Sequence, residues 1–164
     1  MTREITFTYR EEVRPADADA VREIVAATGF FHPPEVDVAV ELVTERLGRG
    51  EASGYHFVFA DDGERLVGYT AYGPIACTAH SFDLYWIAVH PDQQGRGLGR
   101  RLMVETERLI ARAGGARVYV ETSGRDLYAP TRSFYEHHGY RAEAVLEDFY
   151  DRGDAKVVFV KVVG

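Results

Sequence analysis

The densest candidate for chemistry is Gln93-Gln94-Gly95-Arg96-Gly97-Leu98-Gly99-Arg100-Arg101, placed between a strongly apolar run and an amphipathic one. Glycines let a ligand approach the backbone closely, and the first turn of a helix carries N–H groups without intrahelical acceptors at the positive end of the helix dipole. Together they make an anion site, with phosphate as its natural guest. Arg96, Arg100 and Arg101 add three cations at an end where positive charge disfavours an empty helix terminus and suits one that holds a diphosphate. A solvated glycine turn before an ordinary helix is the plain alternative. Two other phosphate loops fit less well. A dinucleotide-binding loop needs Gly-x-Gly-x-x-Gly after the first strand and an acidic residue about 20 positions later, whereas Gly95, Gly97 and Gly99 alternate in mid-chain. A Walker loop needs Gly-Lys-Ser or Gly-Lys-Thr, and neither occurs.

Other reactive residue types are scattered. His32, His56, His80, His90, His137 and His138 show no His-x-x-x-His or mixed Cys/His spacing, so no metal site is expected. Cys77, the single cysteine, forbids an internal disulfide or a thiolate cage, suits a reducing cytosol and reads as a buried or inert thiol. Trp86 reads as core or as a wall of a site, because no basic patch accompanies it as a nucleic-acid stacking platform would require.

The elements that must position the loop follow from periodicity. Ile5, Phe7 and Tyr9 alternate with polar residues, as in a half-buried first strand. Val21, Ile24, Val25 and Thr28 mark a helix that begins near Pro15 and Asp17 and ends at Gly29; Val36, Val40, Val43 and Leu47 mark a second, from Pro33-Pro34 to a stop at Gly48. Tyr55–Ala60 and Arg65–Tyr72, joined through Asp61-Asp62-Gly63-Glu64, predict a hairpin. Leu84–Val89 reads as a central strand covered on both faces, followed by a helix over Leu98–Ala113 that Gly114-Gly115 ends. A fifth strand over Ala116–Thr122 requires a right-handed crossover to a parallel neighbour. A short helix from Pro130 to His138 and an antiparallel pair, Tyr140–Tyr150 with Lys156–Val163, complete the order β-α-α-β-β-β-α-β-α-β-β. This is an α/β (mixed α+β) arrangement: a central mixed, mostly antiparallel sheet of about seven strands with helices on both faces.

Bulk properties agree with one ordinary domain. The chain has 164 residues, 46% hydrophobic and 27% charged, which excludes disorder as its main state. Nineteen basic against twenty-six acidic residues give a net charge of −7, which opposes loose association with nucleic acid or anionic membranes and demands a local site for any anion. No run approaches a membrane span, and the polar start Met1-Thr2-Arg3-Glu4 lacks the core of a signal peptide, so a cytoplasmic location is expected.

Gln94-Gly95-Arg96-Gly97-Leu98-Gly99 satisfies the pattern Gln or Arg, two residues, Gly, one residue, Gly or Ala. Together with Val89-His90-Pro91 before it and Ser133-Phe134-Tyr135-Glu136-His137-His138-Gly139-Tyr140 after it, this resembles the GNAT superfamily of acyl-CoA-dependent N-acetyltransferases. The likeness is specific over about residues 83–163, and the first half matches in element order. It implies that residues 1–164 form a single N-acetyltransferase domain that uses acetyl-CoA as acyl donor, without a metal. The pantetheine arm is expected to pair with backbone groups at Ile87, Ala88 and Val89, one of whose N–H groups would polarise the thioester carbonyl. The diphosphate is expected on main-chain N–H groups from Gln94, Gly95, Arg96, Gly97, Leu98, Gly99 and Arg100, with Ser133 a lesser contact.

Tyr135 falls where the family commonly carries the tyrosine that protonates the departing CoA thiolate, and an ordinary phenol, of pKa about 10, can donate to a thiol of about 8.5. Packing of its helix onto the sheet is the structural alternative. Tyr128 stands where many relatives carry asparagine, so that contact is not implied. The base that takes the amine's proton is expected to be a carboxylate. Asp83 aligns with the catalytic glutamate of the histone-acetylating branch and, one methylene shorter, would act through water; Glu121 and Asp148 are rivals, and each can equally be a solvated or ion-paired carboxylate. The acceptor implied is a small-molecule amine or a peptide or protein amine, with no nucleic acid or membrane partner. Such domains frequently form homodimers. A non-catalytic acyl-CoA-binding module on the same fold is the alternative function.

Overall fold

The computed structural model describes residues 4–164; Met1-Thr2-Arg3, part of the polar start read above, lie outside the described residues. Eleven regular elements occur in the expected order. They are β1 (Thr8–Arg10), α1 (Asp17–Ala27), α2 (Pro33–Arg49), β2 (His56–Asp61), β3 (Leu66–Pro74), β4 (Ser81–Val89), α3 (Leu98–Arg112), β5 (Arg117–Ser123), α4 (Ala129–His137), β6 (Arg141–Asp151) and β7 (Asp154–Val162). The seven strands form one sheet ordered β1-β2-β3-β4-β5-β7-β6. The β1–β2, β2–β3, β5–β7 and β6–β7 ladders are antiparallel, and β4–β5 is parallel, as the crossover through α3 requires. Among the described residues, no helix is long and apolar enough to cross a membrane.

By packing, the described chain falls into two compact units: residues up to Gly73 with Trp86–Thr106, and Pro74–Tyr85 with Glu107–Gly164. In the first, β3 is sandwiched. Its Tyr69 and Ala71 join Phe57, Phe59, Val21, Ile24, Val25, Val36 and Val43 in a core beneath α1 and α2, while Gly68 and Thr70 face α3. Each large apolar side chain so buried contributes about 1.5–3 kcal/mol. The start of α1 is fixed from below: buried Asp17 accepts the Arg14 N–H at 2.7 Å and a two-pronged guanidinium from Arg10, which itself lies 4.7 Å over Phe59. In the second unit α4 packs Tyr135 against Phe159 of β7 and Tyr140, and Lys161 of β7 pairs with the buried Glu107 at 2.7 Å.

Several boundaries differ from the sequence reading. The second helix passes through Gly48 to Arg49, because the residue that takes the left-handed turn is Gly50, at φ +60°. The alternation at Ile5, Phe7 and Tyr9 is only partly realised: Phe7 is buried, Ile5 is intermediate and Tyr9 is exposed, and the β1 ladder runs only from Thr8↔Asp61 to Arg10↔Phe59. β4 begins at Ser81, where Ser81, Phe82 and Asp83 pair with Arg117, Val118 and Tyr119. The apolar run expected to be covered on both faces is only partly buried: Leu84 and Ala88 are buried, Trp86, Ile87 and Val89 are intermediate and Tyr85 is exposed. Its parallel ladder lasts three pairs, so the run beyond Asp83 gains no cover from a continued ladder on that edge.

Candidate functional site

The glycine loop begins where β4 ends. His90 donates its N–H to Val67 O at 2.8 Å, which ties the strand's end to β3, and its carbonyl accepts from Gln93 at 2.9 Å to start the single turn Pro91–Gln93. Gly95 and Gly97 then adopt φ +79° and +75°, conformations that cost an L-residue about 1–2 kcal/mol. Among the described residues, no heavy atom beyond the adjoining ones in the chain lies within 4 Å of where a Cβ would stand on either. These glycines are therefore required by backbone direction, and the space beside them is open. Gly97 O accepts from Arg101 N at 3.2 Å and opens α3, whose first N–H groups have no intrahelical acceptor.

Around this turn Gln94, Gly95, Arg96, Gly97 and Arg100 are exposed, Gly99 is intermediate, and buried Leu98 anchors the helix. Arg96, Arg100 and Arg101, the three cations expected there, line an open cavity of about 520 Å³ with Tyr9, Gly97, Val104 and Glu105. Ile87, Ala88 and Val89 lie in the half-buried end of β4.

One residue of this region, Gly68, escaped the sequence reading. A Cβ on Gly68 would stand 3.1 Å from Leu102 Cδ1 and 3.2 Å from Ala88 O, so this glycine lets α3 and β4 approach β3 closely. A lone glycine inside a strand pattern was the available signal. Gln93, not Gln94, is the buried glutamine, and its Oε1 has no hydrogen-bond partner among the described residues.

The other expected residues belong to the second unit. Tyr135, 5% exposed, is ringed by Phe134, Tyr140 and Phe159 at centroid distances of 5.6–5.9 Å. Burial pushes its phenol well above the usual range, so it is protonated throughout the neutral region. Ser133 is exposed, with its hydroxyl 3.3 Å from His137 Nδ1; the His137 ring N–H serves the Ser133 carbonyl at 2.7 Å.

Asp83, Tyr119 and Glu121 share a face of the sheet through the β4–β5 register, and Lys156 joins them from β7, with its Nζ 2.9 Å from Glu121 Oε1. Burial raises the Asp83 pKa, Glu121 raises it further, and Lys156 opposes both. Asp148 stands apart in role: it is exposed, at φ +53°, and its carboxylate accepts the Gly153 N–H at 2.7 Å, as a turn-forming group. Cys77 is exposed rather than buried, in the loop before β4 at φ +63°.

The first unit thus holds an open glycine turn at the start of a helix, and the second a buried protonated phenol and a half-buried carboxylate. Residues 53–142, more than half of the chain, match the family model described as acetyltransferase (GNAT) domain. A GNAT-family protein from Desulfovibrio desulfuricans is 49% identical, with a TM-score of 0.96 over 97% of this chain and 100% of that one. The N-alpha-acetyltransferase RimI of Mycobacterium tuberculosis is 40% identical over 67 residues, 40% of either chain. An aminoglycoside 6'-N-acetyltransferase complexed with coenzyme A shares the fold, with a TM-score of 0.77 and 21% identity over 97% of each chain. The matches span 34% and 40% of the length of the two mycobacterial relatives, the longer being a Mycobacterium leprae protein. The chain belongs to the GNAT family of acetyltransferases.

Proposed function

We propose that this chain transfers an acetyl group from acetyl-CoA to a primary amine by direct attack in a ternary complex, and that residues 1–164 act as one N-acetyltransferase domain in the cytoplasm. The observation that carries the donor is the turn at Gly95 and Gly97, whose positive φ angles and open surroundings leave backbone N–H groups free for a diphosphate at the start of α3. The coenzyme A complex of a fold relative supports the same donor. The names of the relatives support amines as acceptors, one the amino terminus of a protein and another an aminoglycoside.

Each residue has a step. The loop from Gln94 to Arg100 binds the diphosphate through the N–H groups that follow Gln94, whose own N–H is donated to Pro91 O at 3.3 Å, with Arg96 and Arg100 adding charge; Ile87, Ala88 and Val89 supply backbone groups for the pantetheine arm, and Ser133 a further contact. A β4 N–H stabilises the oxyanion of the tetrahedral intermediate. The acceptor binds as its ammonium and must lose a proton before its nitrogen lone pair can attack. Asp83, acting directly or through a water, takes that proton, and its raised pKa brings it nearer the pH of the reaction. The C–N bond forms, the C–S bond breaks, Tyr135 donates its phenolic proton to the leaving thiolate, and the second proton lost by the acceptor nitrogen restores the phenol, so the products are the amide, CoA thiol and the one proton that Asp83 passes to solvent. The chain contributes no covalent acyl carrier: Cys77, exposed in its loop, is not placed in the reaction.

The test is release of CoA thiol from acetyl-CoA with a panel of small amines, amino-terminal peptides and lysine-containing peptides, alongside calorimetric titration of acetyl-CoA. Turnover on any amine, lost in Tyr135→Phe, supports the transferase. Tight acetyl-CoA binding with no turnover across the panel would replace it with a non-catalytic binding module.

A further inference from the structure

On the face shared by Asp83 and Glu121, β6 does something its pairing alone would not require. Leu146 lies opposite Lys156 and Asp151 opposite Asp154, so five steps along β6 correspond to two along β7, and three residues are thrown out of register. Asp148, at φ +53°, turns the chain, and the Gly153 N–H holds it there. The excursion sets the Phe149 ring against Lys156, whose Nζ stands 4.3 Å from the ring centroid and 2.9 Å from Glu121. The Lys156 side chain is only 15% exposed, against 48% for Glu121. An ammonium closed in this way between a carboxylate and an aromatic face is held in one place.

We propose that Lys156 is a positioning residue for acyl transfer: seated on Phe149, its ammonium engages Glu121 and so leaves Asp83 as the carboxylate that receives the amine's proton. The inference rests on the transferase reading above. Two neighbouring carboxylates without a counter-ion would share a proton, and either could serve as base. Here Glu121 is paired, whereas the Asp83 carboxylate has no hydrogen bond or ion pair among the described residues and the residue is half-buried. The groups facing Asp83 are Tyr119 and Glu121 from β5, Lys156 from β7 and, beside Glu121, the Tyr150 phenol from β6. Lys156 is the cation among them that lowers the Asp83 pKa. Removing it takes an attractive charge from Asp83 and unmasks the repulsion from Glu121, and both changes hold the proton on Asp83 to higher pH.

The experiment is the pH profile of kcat with one acceptor throughout, in the wild type and in Lys156→Met, Lys156→Arg, Glu121→Gln, Asp83→Asn and the Lys156→Met/Glu121→Gln double variant. Lys156→Met is expected to move the acid limb upward by about half a pH unit or more, Glu121→Gln to move it downward, and the double variant to return it toward wild type. Lys156→Arg should restore the limb. A Lys156→Met enzyme slowed equally at all pH values, with the limb unmoved, would overturn the inference; so would a double variant no closer to wild type than the single one. If Lys156→Met does not fold, the limbs of Glu121→Gln and Lys156→Arg decide: an unmoved limb in Glu121→Gln, or a displaced one in Lys156→Arg, overturns it. A limb that survives in Asp83→Asn overturns Asp83 as base, and with it the role given to Lys156. Absence of transfer by the wild type instead defeats the transferase reading itself.

Discussion

Gly97→Val isolates the role of the glycine turn, because the geometry separates strain from collision. Gly97 sits at φ +75° and nothing lies within 4 Å of its added Cβ, so the substitution meets no neighbour. What it does meet is its own backbone. The left-handed region costs an L-residue about 1–2 kcal/mol, and a branched Cβ makes it a true outlier. Because Gly97 O opens α3 by accepting from Arg101, the cheapest relief is rotation of the peptide that precedes it, which re-aims the N–H of residue 97. In the free protein, relaxation hides most of the strain, so the loss of stability should stay below about 2 kcal/mol. Binding a diphosphate must then restore the strained turn, and 1–2 kcal/mol is a factor of about 5–30 in the CoA dissociation constant. Gly29→Val is the matched control, at φ +73° with equally open surroundings at the end of α1. Titration calorimetry with CoA, with urea denaturation of each variant, should show weakened binding in Gly97→Val alone. If Gly97→Val binds CoA within about twofold of wild type, well short of the factor expected from 1–2 kcal/mol, its amides do not hold the diphosphate and the argument from the turn fails.

Two further outcomes test the second unit. Tyr135→Phe keeps the ring that packs on Phe159 and Tyr140 and removes the donor, so turnover should fall about a hundredfold or more while acetyl-CoA affinity and the melting temperature hold; an unchanged rate means another group protonates the thiolate. Lys161→Met strips the cation from Glu107, which is 9% exposed and shares Tyr140's hydroxyl, and should destabilise by about 3 kcal/mol in urea titrations, with part recovered by adding Glu107→Gln; full additivity of the two changes would show that the pair is not coupled.

How much of this the sequence held depends on the range of the interaction that decides each feature. Helix and strand order was legible because periodicity is a local record of which side is buried, and the stripes of α1 and α2 do point to the core they share with Phe57, Phe59 and Tyr69. Ends were less legible because they are settled by partners. Ser81–Asp83 look polar and irregular, yet they are strand residues because Arg117–Tyr119 pair with them from more than thirty positions away. Gly48 and Gly50 are alike as letters, and only the backbone shows which of them takes the left-handed turn.

The site divides along the same line. The glycine turn could be read because its chemistry is carried by residue types at fixed offsets: Gly95 and Gly97 announce positive φ, and the arginines after them announce an anion. The carboxylates could be nominated but not ranked. Asp83, Glu121 and Asp148 have the same functional group, and their difference lies in what faces them: a turn N–H on Asp148, an ammonium on Glu121, and partial burial at Asp83, whose carboxylate has no bonded partner among the described residues. Lys156 itself left no trace in the pattern, since its seat depends on three residues of β6 leaving register so that Phe149 can reach it. The cation that pairs with Glu121 is thus seated by a bulge on the strand beside its own, and a chain with the same carboxylates and a straight β6 would lack the ring that holds it in place.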